Sequence, residues 1–188
     1  MFGREATEPR SRIFTVGHSN LPVVSLIAQL EAHRIRILVD VRRYPSSRRY
    51  PQYNRPALAV SLQERGIAYV HEIDLGGHRE PLPGSVNGGI RADGFRGYAD
   101  HMGTPAFRGA FDRVTAAARK VPLTVMCAEA DPSDCHRLYL SDALTVAGFE
   151  VVHLLGSEAT RPHRLTPEAR VRDGLLSYPA EGGQTSLF

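Results

Sequence analysis

Cys127 and Cys135 are the only cysteines of the chain, and seven residues separate them. His136 and Arg137 follow the second, and Glu129 lies two residues past the first. Three chemistries use such a set. A thiolate can attack an electrophile while an imidazole holds its proton, a carboxylate can act as general base while an arginine stabilises developing charge, and thiolates with an imidazole can bind a metal ion. The metal reading is not favoured. Cys-x7-Cys-His lacks the tight ligand spacing of zinc knuckles, and a further ligand has to come from His18 or His78. Glu129 is the first choice for catalysis, because a carboxylate directly after an apolar strand is expected to be buried, and buried carboxylates carry a role or a partner. Cys127, Cys135 and His136 are expected to shape or assist the site. No organic-cofactor motif accompanies them, so the cofactor stays undefined.

Three further segments carry unusual polar residues. Gly17-His18-Ser19-Asn20 reads as a strand-to-helix turn, where backbone N–H groups can meet an anion or Ser19 or Asn20 can cap the helix. Asp40 is followed by Arg42, Arg43, Arg48, Arg49 and Arg55, with Tyr44, Tyr50 and Tyr53 interleaved, a composition suited to phosphate contacts and base stacking as well as to a solvated basic loop. Gly76 and Gly77 precede His78 and Arg79, and glycines allow backbone to approach a ligand closely. The residues expected to bind substrate or phosphate are therefore His18, Ser19, Arg42, Arg43, Tyr44, Arg48, Gly76, Gly77, Arg79 and Arg137.

The elements that must position these groups alternate. Apolar, β-branched runs at Ile13 to Val16, Ile35 to Val41, Ile67 to His71, Leu123 to Met126 and Phe149 to Leu155 read as strands. Between them, Val23, Ile27 and Leu30, then Leu58 and Leu62, then Phe107, Phe111 and Val114, then Leu140, Leu144 and Ala147 recur at helical spacing. Pro22, Asn54 with Pro56, and Thr104-Pro105 mark helix starts, another helix begins near Asp134, and Gly66 and Gly148 mark stops. This order implies an α/β fold, a single three-layer domain with a mainly parallel sheet of about five strands and helices on both faces. In such a sheet the loops after the strands share one edge, and all four polar segments fall there.

The long polar stretch from Asp74 to Gly97 reads as a binding loop or lid. Residues 1–12 read as a polar extension, 13–155 as the domain, and 156–183 as a loose extension with a short helix around Pro167 to Arg172. No apolar stretch approaches the ~18 residues needed to span a bilayer, which predicts a cytoplasmic protein without a membrane partner. The net charge of +3 favours polyanions only mildly, and its dominance by arginine, Lys120 being the sole lysine, fits a GC-rich genome as well as phosphate binding.

The segments TVGHSN, LVDVRRYPSSRRYPQYN, IDLGGHR, GFRGYADHM and VMCAEADPSDCHR, in that order over residues 13 to 155, resemble the bacterial domain-of-unknown-function family numbered 488. The resemblance supports the site residues and implies no reaction. At the C-terminus, Gln184-Thr185-Ser186-Leu187-Phe188 is similar to the peptide that docks on the bacterial sliding clamp, with Gln184 to hydrogen-bond and Leu187 and Phe188 to fill an apolar pocket. Thr185 replaces the commoner leucine.

These readings lead first to a DNA-processing enzyme, a hydrolase of repair or base removal recruited by the clamp, in which Glu129 activates water or stabilises charge. A thiol-dependent, sulfur-transferase-like enzyme acting on a small molecule through Cys127 or Cys135 is the alternative. A clamp-tethered DNA-binding adaptor without turnover is a third.

Overall fold

A computed structural model describes residues 11–156 and 159–180. Its elements in chain order are β1 (Arg12–Gly17), α1 (Val23–Ala32), β2 (Ile37–Asp40), α2 (Arg55–Gln63), β3 (Ala68–His71), α3 (Asp93–Met102), α4 (Pro105–Ala118), β4 (Leu123–Cys127), α5 (Arg137–Val146), β5 (Glu150–Leu155), β6 (Ala159–Pro162), β7 (Arg170–Arg172) and β8 (Leu175–Ser177). The first six strands form one sheet in the order β3-β2-β4-β1-β5-β6, parallel except for β6, which runs antiparallel to β5 at the edge. Fold class and mainly parallel sheet agree with the expectation; the sheet has one strand more than expected.

The strand order explains the layers. The chain moves one way across the sheet from β1 to β3 and the other way from β3 to β5, and right-handed crossovers in opposite directions must place their helices on opposite faces. Accordingly Leu26, Ile27 and Leu30 of α1 and Leu58 and Leu62 of α2 pack with Phe14, Val16, Leu38 and Met126. On the other face Phe107, Ala110 and Val114 of α4 and Leu140 and Leu144 of α5 pack with Ile13, Val39, Val125 and Val151. Alternate residues of each strand thus serve alternate cores. Leu30, Leu38, Leu58 and Leu62 are wholly buried, and truncating any of them to alanine costs about 2–5 kcal/mol.

Several local expectations are corrected. The turn at Gly17 to Asn20 contains no side-chain cap: Pro22 occupies the cap position of α1, and the amides of His18 and Ser19 donate to the carbonyls of Cys127 and Ala128, so they are not free for an anion. Cys135 is not in the first turn of α5; it is extended, just after a 3-10 turn at Pro132–Asp134, and His136 is the cap residue. The expected lid ends in α3, which its glycines concealed. Gly97 has to lack a Cβ, because that atom would lie 2.2 Å from the carbonyl oxygen of Arg79.

The segment expected to be loose folds back onto the domain. Arg12 already belongs to β1, ion-paired with Glu150. β6 extends the sheet, and no helix forms around Pro167; β7 and β8 make a hairpin that delivers Tyr178 to the core. The tail residues expected to dock on the clamp, Gln184, Leu187 and Phe188, lie outside the described residues. No described helix is long and apolar enough to cross a membrane.

Candidate functional site

Register brings the chemistry together. Gly17 pairs with Cys127, and Asp40 pairs with Met126, so β1, β2 and β4 end side by side. The chain leaves β1 and β2 toward one face and β4 toward the other, which opens a crevice between their loops. A cavity of about 260 Å³ occupies it, lined by Arg42, Arg43, Tyr44, Gly77, His78, Gly94, Phe95, Cys127, Ala128, Glu129, Asp134, Cys135 and His136. A larger groove of about 580 Å³ lies away from this edge, against α4 and α5, but neither cysteine nor histidine lines it. The smaller cavity is the candidate site.

Its floor is the thiol cluster. Cys127, Cys135 and His136 are buried, and both cysteines are free. His136 Nδ1 lies 3.7 Å from Cys135 Sγ and 3.9 Å from Cys127 Sγ, and all three atoms fall within 4.8 Å of one another. The adjacent Cys127 thiol, with His136 and Arg137, draws the Cys135 thiol well below the usual thiol range against the effect of burial. The Cys135 side chain and burial push Cys127 up. The cluster thus favours ionisation of Cys135 over Cys127. Gly77 makes the arrangement possible, because a Cβ there would sit 2.8 Å from His136 Nδ1.

These three donors could hold a soft metal ion as a Cys2His set. The surroundings fit such an ion poorly. A metal-bound histidine ordinarily donates its other N–H to an acceptor, whereas His136 Nε2 is buried without a partner among the described residues, and the Arg137 cation stands beside the thiols.

Arg137 is fully buried. Its guanidinium donates to the carbonyls of Glu129 and Ala130 and, at 3.3 Å, to Thr15 Oγ1, while its Nε has no partner among the described residues. It cannot reach a phosphate, which corrects that expectation. It closes the loop after β4, and Gly17 leaves room for this closure, since a Cβ there would collide with the Glu129 carbonyl.

Arg42 is likewise a buried support. It pairs with Asp40 at 2.6 Å, donates to the Tyr53 carbonyl at 2.8 Å and lies 3.2 Å from His18 Nε2. His18 stacks on Tyr53 with ring centroids 4.0 Å apart, and burial, then the charge of Arg42, lowers its pKa to about 4. Neutral His18 therefore donates from Nδ1 to the Ser19 carbonyl and accepts from Arg42. His18 and Ser19 brace the cavity and do not line it.

Arg43, Tyr44 and His78 form the rim. Arg43 donates to the His78 carbonyl at 2.8 Å, and Tyr44 is two-thirds exposed beside the His78 ring. Arg79 turns back to the carbonyls of Gly76 and Ile73, Gly76 packs against the Arg43 backbone, and Arg48 is exposed outside the cavity. Glu129 lines the cavity but is exposed, and among the described residues nothing pairs with its carboxylate. The burial argument that placed it first is corrected. β4 ends at Cys127, and the chain turns out into solvent within two residues.

His78, Phe95 and Asp134 were absent from the expected site. All three lie in IDLGGHR, GFRGYADHM and VMCAEADPSDCHR, segments that carried the resemblance, so that signal was available. No curated protein and no solved structure matches the chain. One family model does, over residues 22–144, a span that runs from the start of α1 into α5 and includes Arg42, Gly77, both cysteines and His136. With most of the chain matched and the edge cluster inside the match, the protein belongs to the family described as domain of unknown function DUF488.

Proposed function

We propose that the protein is a thiol-dependent enzyme acting on a small anionic substrate. The observation that carries this reading is the position of Cys135 Sγ, 3.7 Å from His136 Nδ1 at the floor of a cavity, with a second thiol facing the same nitrogen. A buried thiolate in that position is a nucleophile with its own proton donor nearby. Cys135 attacks, Cys127 supplies a hydrogen bond and a second sulfur, and His136 and Arg137 favour the anion. Arg43 and His78 at the rim favour a negatively charged substrate, and Tyr44 and Phe95 offer it flat apolar surface. The test is iodoacetamide labelling at neutral pH, followed by peptide mapping. Cys135 should label faster than a free cysteine model and Cys135→Ser should remove the fast phase; labelling at the model rate would reject the role.

A second reading keeps DNA as the substrate. Its support is exposed Arg48 and Arg49, in the same loop that supplies the rim residues Arg43 and Tyr44. In that reading Glu129 acts on water at the cavity mouth, and the tail Gln184 to Phe188 recruits the protein to the sliding clamp. DNA binding that weakens steeply with salt and base release lost in Glu129→Gln are expected; retention of release in that variant would reject the role of Glu129.

A further inference from the structure

Arg137 presents a charge problem. It is wholly buried, no carboxylate among the described residues touches it, and its charge favours the Cys135 anion. A second buried charge, Asp142, lies one turn further along α5 and is also wholly buried. Between them runs an unbroken line of buried polar groups. Arg137 Nη1 donates to Thr15 Oγ1 at 3.3 Å, and Thr15 Oγ1 lies 2.7 Å from His153 Nδ1. His153 Nε2 lies 3.0 Å from His163 Nδ1, and His163 Nε2 lies 2.8 Å from Asp142 Oδ1.

With both imidazoles neutral, the two ends fix the direction of every bond. Arginine can only donate and an ionised carboxylate can only accept. Asp142 also accepts from Thr166 N and Oγ1 and from Tyr178 OH, so both of its oxygens are committed as acceptors. His163 must then carry its proton on Nε2 and accept at Nδ1. His153 must donate from Nε2 and accept at Nδ1, and Thr15 must donate to His153 while accepting from Arg137. The groups that face His153 favour a neutral ring there: burial first, then His163, Arg137 and Arg161, depress its pKa to about 3, with Asp131 opposing. Asp131 is itself occupied by Arg161, at 2.9 Å.

We propose that Thr15, His153, His163 and Asp142 are positioning residues that form a one-directional hydrogen-bond chain and fix Arg137 beside the thiols. The proposal rests on the thiol reading of the site. It assigns a purpose to β6 and the segment after it, because His163, Thr166 and Tyr178 all come from residues that follow the sheet's parallel part. The chain links two separated side chains, Arg137 and Asp142, through dipoles aligned in one sense, so each bond strengthens the next and loss of one link loosens the guanidinium.

Thr15 is the link to break, because valine matches its shape without a hydroxyl while serine keeps the hydroxyl. Two readouts separate the proposal from the thiol reading. Nitrogen-15 NMR of the imidazoles should find His153 and His163 both protonated at Nε2 alone in the wild type. An Nδ1-protonated His153 or a doubly protonated His163 would overturn the chain, whatever the cysteines do. The pH profile of Cys135 labelling should move upward by about one unit in Thr15→Val, a tenfold loss of thiolate at fixed pH, and return in Thr15→Ser. Equal midpoints in wild type, Thr15→Val and Thr15→Ser would also overturn it. Slow wild-type labelling with the stated tautomers would instead reject the thiol reading and leave the chain standing.

Discussion

Two arginines are buried at the same sheet edge, and they are held in opposite ways. Arg42 has its counter-charge two residues away, in Asp40, whose carboxylate also accepts the Arg42 amide and the Tyr69 hydroxyl. Among the described residues the Arg137 guanidinium donates only to carbonyl oxygens and a hydroxyl. The difference decides what each can do. The paired guanidinium braces the loop after β2 and acts on His18, whereas Arg137, without a carboxylate beside it among the described residues, favours the anion of Cys135. Each arginine also has one neutral histidine beside its polar partners, His18 for Arg42 and His153 for Arg137 through Thr15.

The comparison breaks most visibly at Asp40. Asp40→Ala strands the buried Arg42 charge and should cost about 3–5 kcal/mol in urea unfolding, the usual penalty for removing one partner of a buried pair. A cost under 1 kcal/mol would mean that Arg42 is not the closed brace described above. The next effect is a pH dependence. His18, with a folded pKa near 4 against 6.5 in the unfolded chain, and His153, near 3, both bind fewer protons folded than unfolded. Their stability contribution is complete above about pH 6.5 and is lost as pH falls toward their folded values, at roughly 1.4 kcal/mol per pH unit for each histidine. Unfolding followed between pH 7 and 4 should show that slope, and a flat profile would contradict neutral, buried imidazoles.

Arg137→Gln separates the two arginines functionally. It should lower the rate of Cys135 labelling at pH 7 about tenfold, equivalent to one pKa unit, while conservative replacement of Arg42 by lysine should act mainly on stability. Equal effects on labelling would erase the distinction. The smallest effect is expected at the far end of the Arg137 chain. Tyr178→Phe removes one of four donors to Asp142 and should cost about 1 kcal/mol in urea unfolding.

The layers of the fold were legible because Ile13 to Val16, Leu123 to Met126 and the helical Leu and Phe positions carry clean periodicity. The edge cluster followed from it, since strand ends in a parallel sheet share an edge. What escaped depends on contacts remote in sequence. α3 was hidden by Gly94 and Gly97, and β6 to β8 by charged residues that surround a few buried ones, notably Tyr178. Burial of Arg137 runs against residue type and exposure of Glu129 against its place after an apolar strand, and the turn at the end of β4 decides both. The hydrogen-bond chain joins residues 15, 153, 163, 137 and 142, whose proximity no local spacing could announce.

The central claim is that the buried cluster holds a thiolate on Cys135. Thiolate absorbance at 240 nm, titrated in wild type and in Cys135→Ser, tests it directly. The account predicts a transition well below the ordinary cysteine range in the wild type that disappears in Cys135→Ser; ionisation of the wild type only at or above that range would contradict it.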